Sequence, residues 1–209
     1  MLLLNHDIHI HTYLSACCTD KTNHVPDKIL KYAFQTGLHT VGFSDHIWVN
    51  PSLTPSKWYQ KQDASQIDKI KQDIFSTFSP VKVLLGCEAE TIAPGKFGIT
   101  KEFTETIDYV LLACSHFHMT GFVQQPFEKT PRAVANNLLV FFRSAVKSGL
   151  ANIIPHPFFP CGYEDIYDKT ISTISDEEFL DVFGTAAENH IAIEISAVFL
   201  PPCMGGCPT

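Results

Sequence analysis

At 209 residues, with 45% hydrophobic residues and a mean hydropathy of +0.05, the chain suits one globular domain and lacks the bias of a disordered, collagenous or membrane protein. A formal net charge of −7 and a pI near 5.7 argue against a broad nucleic-acid surface, leaving only local basic pairs such as Lys69 with Lys71 and Lys129 with Arg132. Seven cysteines, an odd number scattered along the chain, read as reduced thiols. With neither a signal peptide nor an apolar run of about eighteen residues, a cytoplasmic location is expected and a membrane partner is not.

Taken in order, short apolar runs alternate with longer helical patterns. Strands are expected over Leu2–Ile10, Thr40–Ser44, Val81–Cys87, Tyr109–Ser115, Asn152–Pro155 and Ile191–Ile195. Helices are expected between them, over Pro26–Thr36, Ala64–Thr77, Pro131–Ser148 and Ser175–Asn189. Pro26 and Pro131 suit first-turn positions, and Gly37 and Gly149 suit helix ends. Asp176, Glu177 and Glu178 favour a helix start after Ser175, because unpaired N–H groups and the positive end of the dipole lie there. Thr100–Thr106 is too short to read as a full helix. Strands joined through helices imply right-handed βα units and a largely parallel sheet, and the pattern alone leaves doubly wound sheet and barrel open. Residues 1–200 read as one domain and 201–209, Pro201 to Thr209, as a turn-rich tail.

The strand ends carry the chemistry. Strand one leads into Asp7-Ile8-His9-Ile10-His11-Thr12, where alternate residues share a face and lie roughly 7 Å apart, so His9 and His11 present two imidazoles to one side. Strand two ends in Ser44-Asp45-His46. Strand three delivers Glu88 and Glu90, strand four His116 and His118, and strand five His156 between Pro155 and Pro157. Six of the ten histidines occupy such exits; His6, His24, His39 and His190 do not. Imidazole with carboxylate suits zinc, iron or manganese rather than magnesium or calcium. Two ions about 3.5–4 Å apart can share a water and clamp a phosphoester, and a carboxylate such as Glu88 can bridge them.

These motifs, together with Gly86-Cys-Glu88, Cys114-Ser115-His116 and Ile154-Pro-His156-Pro, resemble the PHP (polymerase and histidinol phosphatase) domain over about residues 4–200. The resemblance implies a distorted seven-stranded (β/α) TIM-like barrel, two or three divalent ions, and phosphoester hydrolysis. By motif, His9, His11, His46, Glu88, His116 and His156 become metal ligands. Two departures stand out. Where many members carry a ligand histidine six residues past the second histidine of the first motif, this chain has Cys17, which reads either as a thiolate ligand to zinc or as a small buried cysteine. The closing Ser-Asp-x-His motif is absent from these 209 residues, so the expected barrel lacks its last strand.

Such a barrel would leave edge strands unpaired, which makes self-association an expectation. The function expected from the resemblance is hydrolysis of a small phosphomonoester, histidinol phosphate by default, through a metal-activated water. His118 is then the candidate proton donor and Arg132 the candidate phosphate binder. A non-catalytic metal-binding or interaction domain and a nuclease-type phosphodiesterase stand as alternatives. Trp48, Trp58 and Tyr59 are pocket candidates, and Cys203 with Cys207 is a candidate metal pair in the tail.

Overall fold

The computed structural model describes residues 5–75, 77 and 79–195. Residues Leu2 to Leu4, the Cys203 and Cys207 pair and the expected tail lie outside the described residues. Six strands run parallel in the order β1 (His6–Ile10), β2 (Thr40–Phe43), β3 (Lys82–Ala93), β5 (Tyr109–Ala113), β6 (Ile153–Ile154) and β7 (Ala192–Ile193). A short β4 (Lys96–Phe97) folds back antiparallel on β3. The parallel strands form a curled half-barrel, with β1 and β7 as its two edges.

The helices are α1 (Pro26–Thr36), α2 (Ser65–Phe75), the short α3 (Lys101–Thr104), α4 (Pro131–Val146), α5 (Tyr167–Ser172) and α6 (Asp176–Glu188). Their ends follow the local chemistry. Pro26 and Pro131 open α1 and α4, the Thr130 hydroxyl accepts from Ala133 N–H, and Gly37 ends α1 with φ of 82°. Ser175 and Glu178 form a capping box at α6.

β3 is longer than its apolar run. The run stops at Cys87, but the strand continues to Ala93, because Gly86 to Glu90 pairs with β5 and Thr91 and Ala93 pair with β4. Its first half pairs with β2, from Thr40 opposite Lys82 to Phe43 opposite Leu85, and its second half with β5, from Gly86 opposite Tyr109 to Glu90 opposite Ala113. One strand thus serves two neighbours along its length, and Glu88 and Glu90 lie within the sheet rather than beyond it.

Apolar packing supports the outer face of this sheet. The apolar stripe of α4, including Val134, Leu138, Phe141, Phe142 and Ala145, belongs to a core with Val110, Leu112 and Ile154 from the strands and Val182 and Ala186 from α6. A smaller core joins Leu30 and Ala33 of α1 and Ile70 of α2 to Val41 and Phe43.

Tyr109 ties the strands together from within. Its hydroxyl donates to the Ile8 carbonyl at 2.7 Å, so a side chain of β5 reaches the backbone of β1. That path crosses two glycines: a Cβ at Gly42 would stand 2.4 Å from the Tyr109 hydroxyl, and one at Gly86 would stand 2.5 Å from its ring and 2.6 Å from its carbonyl oxygen. Glycine inside a strand is unfavourable unless another group needs the space. Gly86→Ala is therefore expected to destabilise the fold by about 1–3 kcal/mol, as overpacking does. Urea denaturation reads this directly, and an unchanged midpoint would contradict the packing of Tyr109.

Candidate metal centre

The centre is assembled where the parallel strands end, from residues far apart in sequence. Glu88 of β3 is 2% exposed and anchors it: its N–H donates to the carbonyls of Ser44 and Asp45, which fixes β3 against the exit of β2. Thr12 does the same for β1, donating both its N–H and its hydroxyl to the buried Asp45 carboxylate at 2.5 Å. The exits of β1, β2 and β3 are thus pinned to one another.

Five imidazoles then turn their Nε2 atoms toward one carboxylate. His9, His11 and His46 lie 3.3, 3.2 and 3.3 Å from Glu88 Oε2, and His156 and His116 lie 3.1 and 3.7 Å from Oε1. His9 Nε2 and His11 Nε2 are 3.2 Å apart.

The opposite ring nitrogens are held from behind. His9 Nδ1 meets Glu194 Oε1 at 2.8 Å, and His116 Nδ1 meets Glu90 Oε2 at 2.7 Å. A carboxylate accepts, so these Nδ1 atoms carry the proton. His156 Nδ1 lies 3.0 Å from Ser115 Oγ, and His46 Nδ1 lies 3.5 Å from the Tyr59 hydroxyl, which also donates to Glu90 at 3.2 Å. His156 has a φ of 31°, which is strained for any residue but glycine, and its N–H donates to Glu194 Oε2 at 2.5 Å.

This donor set fits divalent ions. A carboxylate offers about four lone-pair positions, too few for five N–H donors, and two N–H groups facing each other would repel. Ligands of a tetrahedral ion at about 2.0–2.1 Å stand about 3.3 Å from one another, and His9, His11 and His46 each stand at that distance from Glu88 Oε2, as from a carboxylate between ion positions. Two groups of three have ligand atoms within 4.8 Å of one another: His11, Cys17 and His46, and His9, Glu88 and His156. Imidazoles backed by carboxylates are the arrangement that orients metal-ligating histidine.

Protons compete for the same nitrogens. Burial is the largest influence on His9, His11 and His116 and acts to lower their pKa values. Glu194 and Glu88 outweigh it at His9, raising it to about 9; Cys17 and Glu88 raise His11 to about 10; Glu90 and Glu88 raise His116 to about 9. Burial prevails at His46, aided by the neighbouring imidazoles, and lowers it to about 3. Glu88 is buried, which would raise its pKa, yet the charge at His46 and hydrogen bonds from His11, His156 and His9 hold it well below the usual range.

A cavity of about 630 Å³ opens beside the centre, lined by Cys17, His46, His116 and His118 on one side and by Lys57, Trp58, Tyr59 and Phe122 among others. The structure brings His9, His11, Cys17, His46, Glu88, His116 and His156 together. His118 is exposed on the cavity wall, its ring 5.3 Å from that of His116, because the chain turns after β5 instead of staying extended; burial and the charge of His116 lower its pKa. Trp58 and Tyr59 line the cavity, whereas Trp48 is buried behind Tyr59 and packs on Gly98.

Arg132 is not brought to the centre. Its guanidinium grips both Glu178 oxygens and the Thr173 carbonyl, and it lines a different cleft at the start of α4 with Gln124, Phe127 and Asn136. The α6 cap holds Glu178 in place for that pair, so the expected phosphate-binding role of Arg132 has no geometric support. Lys57 stands on the cavity wall instead. Glu90, expected at the exit of strand three without a role, supports His116, while Glu194 and Lys57 lie outside the expected site; Glu194 leaves the same signal, a carboxylate at a strand exit.

Because an ion requires neutral imidazole, uptake by the metal-free chain must displace protons held up to about pH 9 at His9 and His116 and about pH 10 at His11. Zinc addition near pH 8 is expected to release more than one proton per ion, with apparent affinity weakening as pH falls. Titration calorimetry in buffers of different ionisation enthalpy measures the release, and buffer-independent heats would contradict it.

No protein-family model matches this chain, and no curated protein matches it in sequence. Among solved structures it is similar to the crystal structure of the "putative histidinol phosphatase hisK" from Listeria monocytogenes, with a TM-score of 0.65 and 13% identity over 93% of this chain and 84% of that one. At that identity the likeness establishes the fold, a curled α/β half-barrel akin to a distorted TIM-like barrel short of strands.

Proposed function

We propose that this chain is a metal-dependent phosphoesterase of the PHP type, acting on a small phosphomonoester. The observation that carries the reading is the convergence of five imidazole Nε2 atoms on the buried Glu88 carboxylate at the open end of a half-barrel. Barrels of this kind keep their active sites at the carboxyl ends of their strands. The likeness to the Listeria "putative histidinol phosphatase" supports the same reading.

In this proposal His9, His11, Cys17, His46, Glu88, His116 and His156 hold two or three ions of zinc, manganese or iron. Such ions supply acidification of a water and neutralisation of phosphoryl charge. The chain does the rest. Glu90 and Glu194 keep the imidazoles of His116 and His9 aimed inward. Lys57 faces the cavity as a cation for phosphate oxygens, and Trp58 and Phe122 give the leaving group an aromatic wall. His118, at the exposed rim, passes a proton to the leaving oxygen. β1 and β7, the ends of the sheet among the described residues, make self-association part of the proposal.

The test is release of inorganic phosphate, first from p-nitrophenyl phosphate and then from histidinol phosphate, with zinc, manganese or iron added to the metal-free protein. Activity is expected to require the ion and to fall by about 10²-fold or more in His9→Ala and His11→Ala, since losing a ligand should exceed the 10–100-fold loss typical of its supporting partners. Arg132→Ala should retain activity. Tight ion binding with no turnover of any phosphoester would overturn the enzymatic reading and leave a metal-binding domain.

A further inference from the structure

The two ligand groups differ in kind. His9, Glu88 and His156 present two nitrogens and an oxygen, whereas His11, Cys17 and His46 present two nitrogens and a sulfur. Carboxylate with imidazole accepts manganese, iron or zinc, while a thiolate strongly favours a softer, thiophilic ion such as zinc or cobalt over manganese. We infer that the centre consists of two unlike ion positions, the one at Cys17 taking a thiophilic ion and the one at Glu88 accepting a harder ion. This rests on the reading of the cluster as a metal centre.

Cys17 is placed for that role rather than merely near it. The loop that carries it is tied down on both sides: Ala16 N–H donates to Gln62 Oε1 at 2.9 Å, and Lys21 Nζ donates to the carbonyls of Tyr13 and Ser15 at 2.6 and 2.8 Å. Ser15 Oγ lies 3.2 Å from the sulfur, as a hydroxyl supporting a thiolate would. His46, 6% exposed, and His11 approach the same point from the exits of β2 and β1, and their rings stack at 4.7 Å. His11 Nδ1 is buried with no hydrogen-bond partner among the described residues. Cys87 and Cys114, by contrast, are 0% and 2% exposed inside the apolar core and serve packing alone. Cys17 is exposed and lines the cavity, so an ion held there borders the space open to substrate.

The experiment titrates cobalt(II) into the metal-free full chain and follows both bound equivalents and the near-ultraviolet thiolate-to-cobalt charge-transfer band. Two equivalents are expected, only one of them bringing the band. Manganese given to the metal-free protein first should occupy the silent position alone, so that cobalt added afterwards still brings the full band. Cys17→Ser should abolish the band and weaken one equivalent at least tenfold while leaving the other unchanged. Cys17→His should restore that equivalent without the band, which separates loss of a ligand from loss of the fold. Two equivalents with no band in the unaltered protein would overturn the thiolate position and leave the metal centre standing. A band that survives Cys17→Ser, or that prior manganese prevents, would overturn it as well. Failure to bind cobalt at all would sink the metal reading and this inference with it.

Discussion

The interaction on which the site depends is that between the Glu88 carboxylate and the five imidazoles that surround it. A carboxylate 2% exposed is costly to bury without compensation, and five nitrogens between 3.1 and 3.7 Å away provide it. The rest of the architecture makes that meeting occur. β3 extends past its apolar run so that Glu88 lies between β2 and β5, and Asp45, Glu90 and Glu194 hold the neighbouring groups in position. Apart from ions, the same cluster holds protons; with ions, the imidazoles are already aimed. The carboxylates behind them reduce the reorganisation that binding requires.

Within the half-barrel, Tyr109 reaches from β5 to the Ile8 carbonyl on β1 over two glycines and links strands that lie apart in the sheet. Glu194 does a related job at the open side. It follows β7, one edge of the sheet, and meets His9 on β1, the other edge, so a carboxylate joins two strands that no backbone ladder joins among the described residues. The strained His156 is part of the same arrangement, since its N–H also reaches Glu194.

Much of this was legible in the sequence, because strand exits and helix caps are local features. Apart from the end of β3 and the start of β1, the parallel strands and four principal helices fall within a few residues of their expected bounds, and His9, His11, His46, His116 and His156 at the strand exits reach the centre. Where the reading fell short, the determinant was non-local. The end of β3 was placed too early because a charged residue usually ends an apolar run, and only the histidines from other strands make a buried Glu88 tolerable. Glu194 sits at the exit of the last described strand, yet nothing in Ile193-Glu194-Ile195 says that His9, 185 residues earlier, stands opposite. Arg132 was drawn toward phosphate by its charge, whereas its partner, Glu178, is fixed by a cap on a different helix. Lys57 was one lysine among many until the loop around Trp58 folded against His46.

The central claim is that the imidazole cluster is a metal centre, and elemental analysis of the chain purified without chelators tests it most directly. The account predicts about two equivalents of zinc, manganese or iron per chain, by the logic of two-ion sites, and the loss of at least the one held by His9, Glu88 and His156 in Glu88→Ala. A chain that carries none, and takes up none from any of these ions when folded, would contradict it.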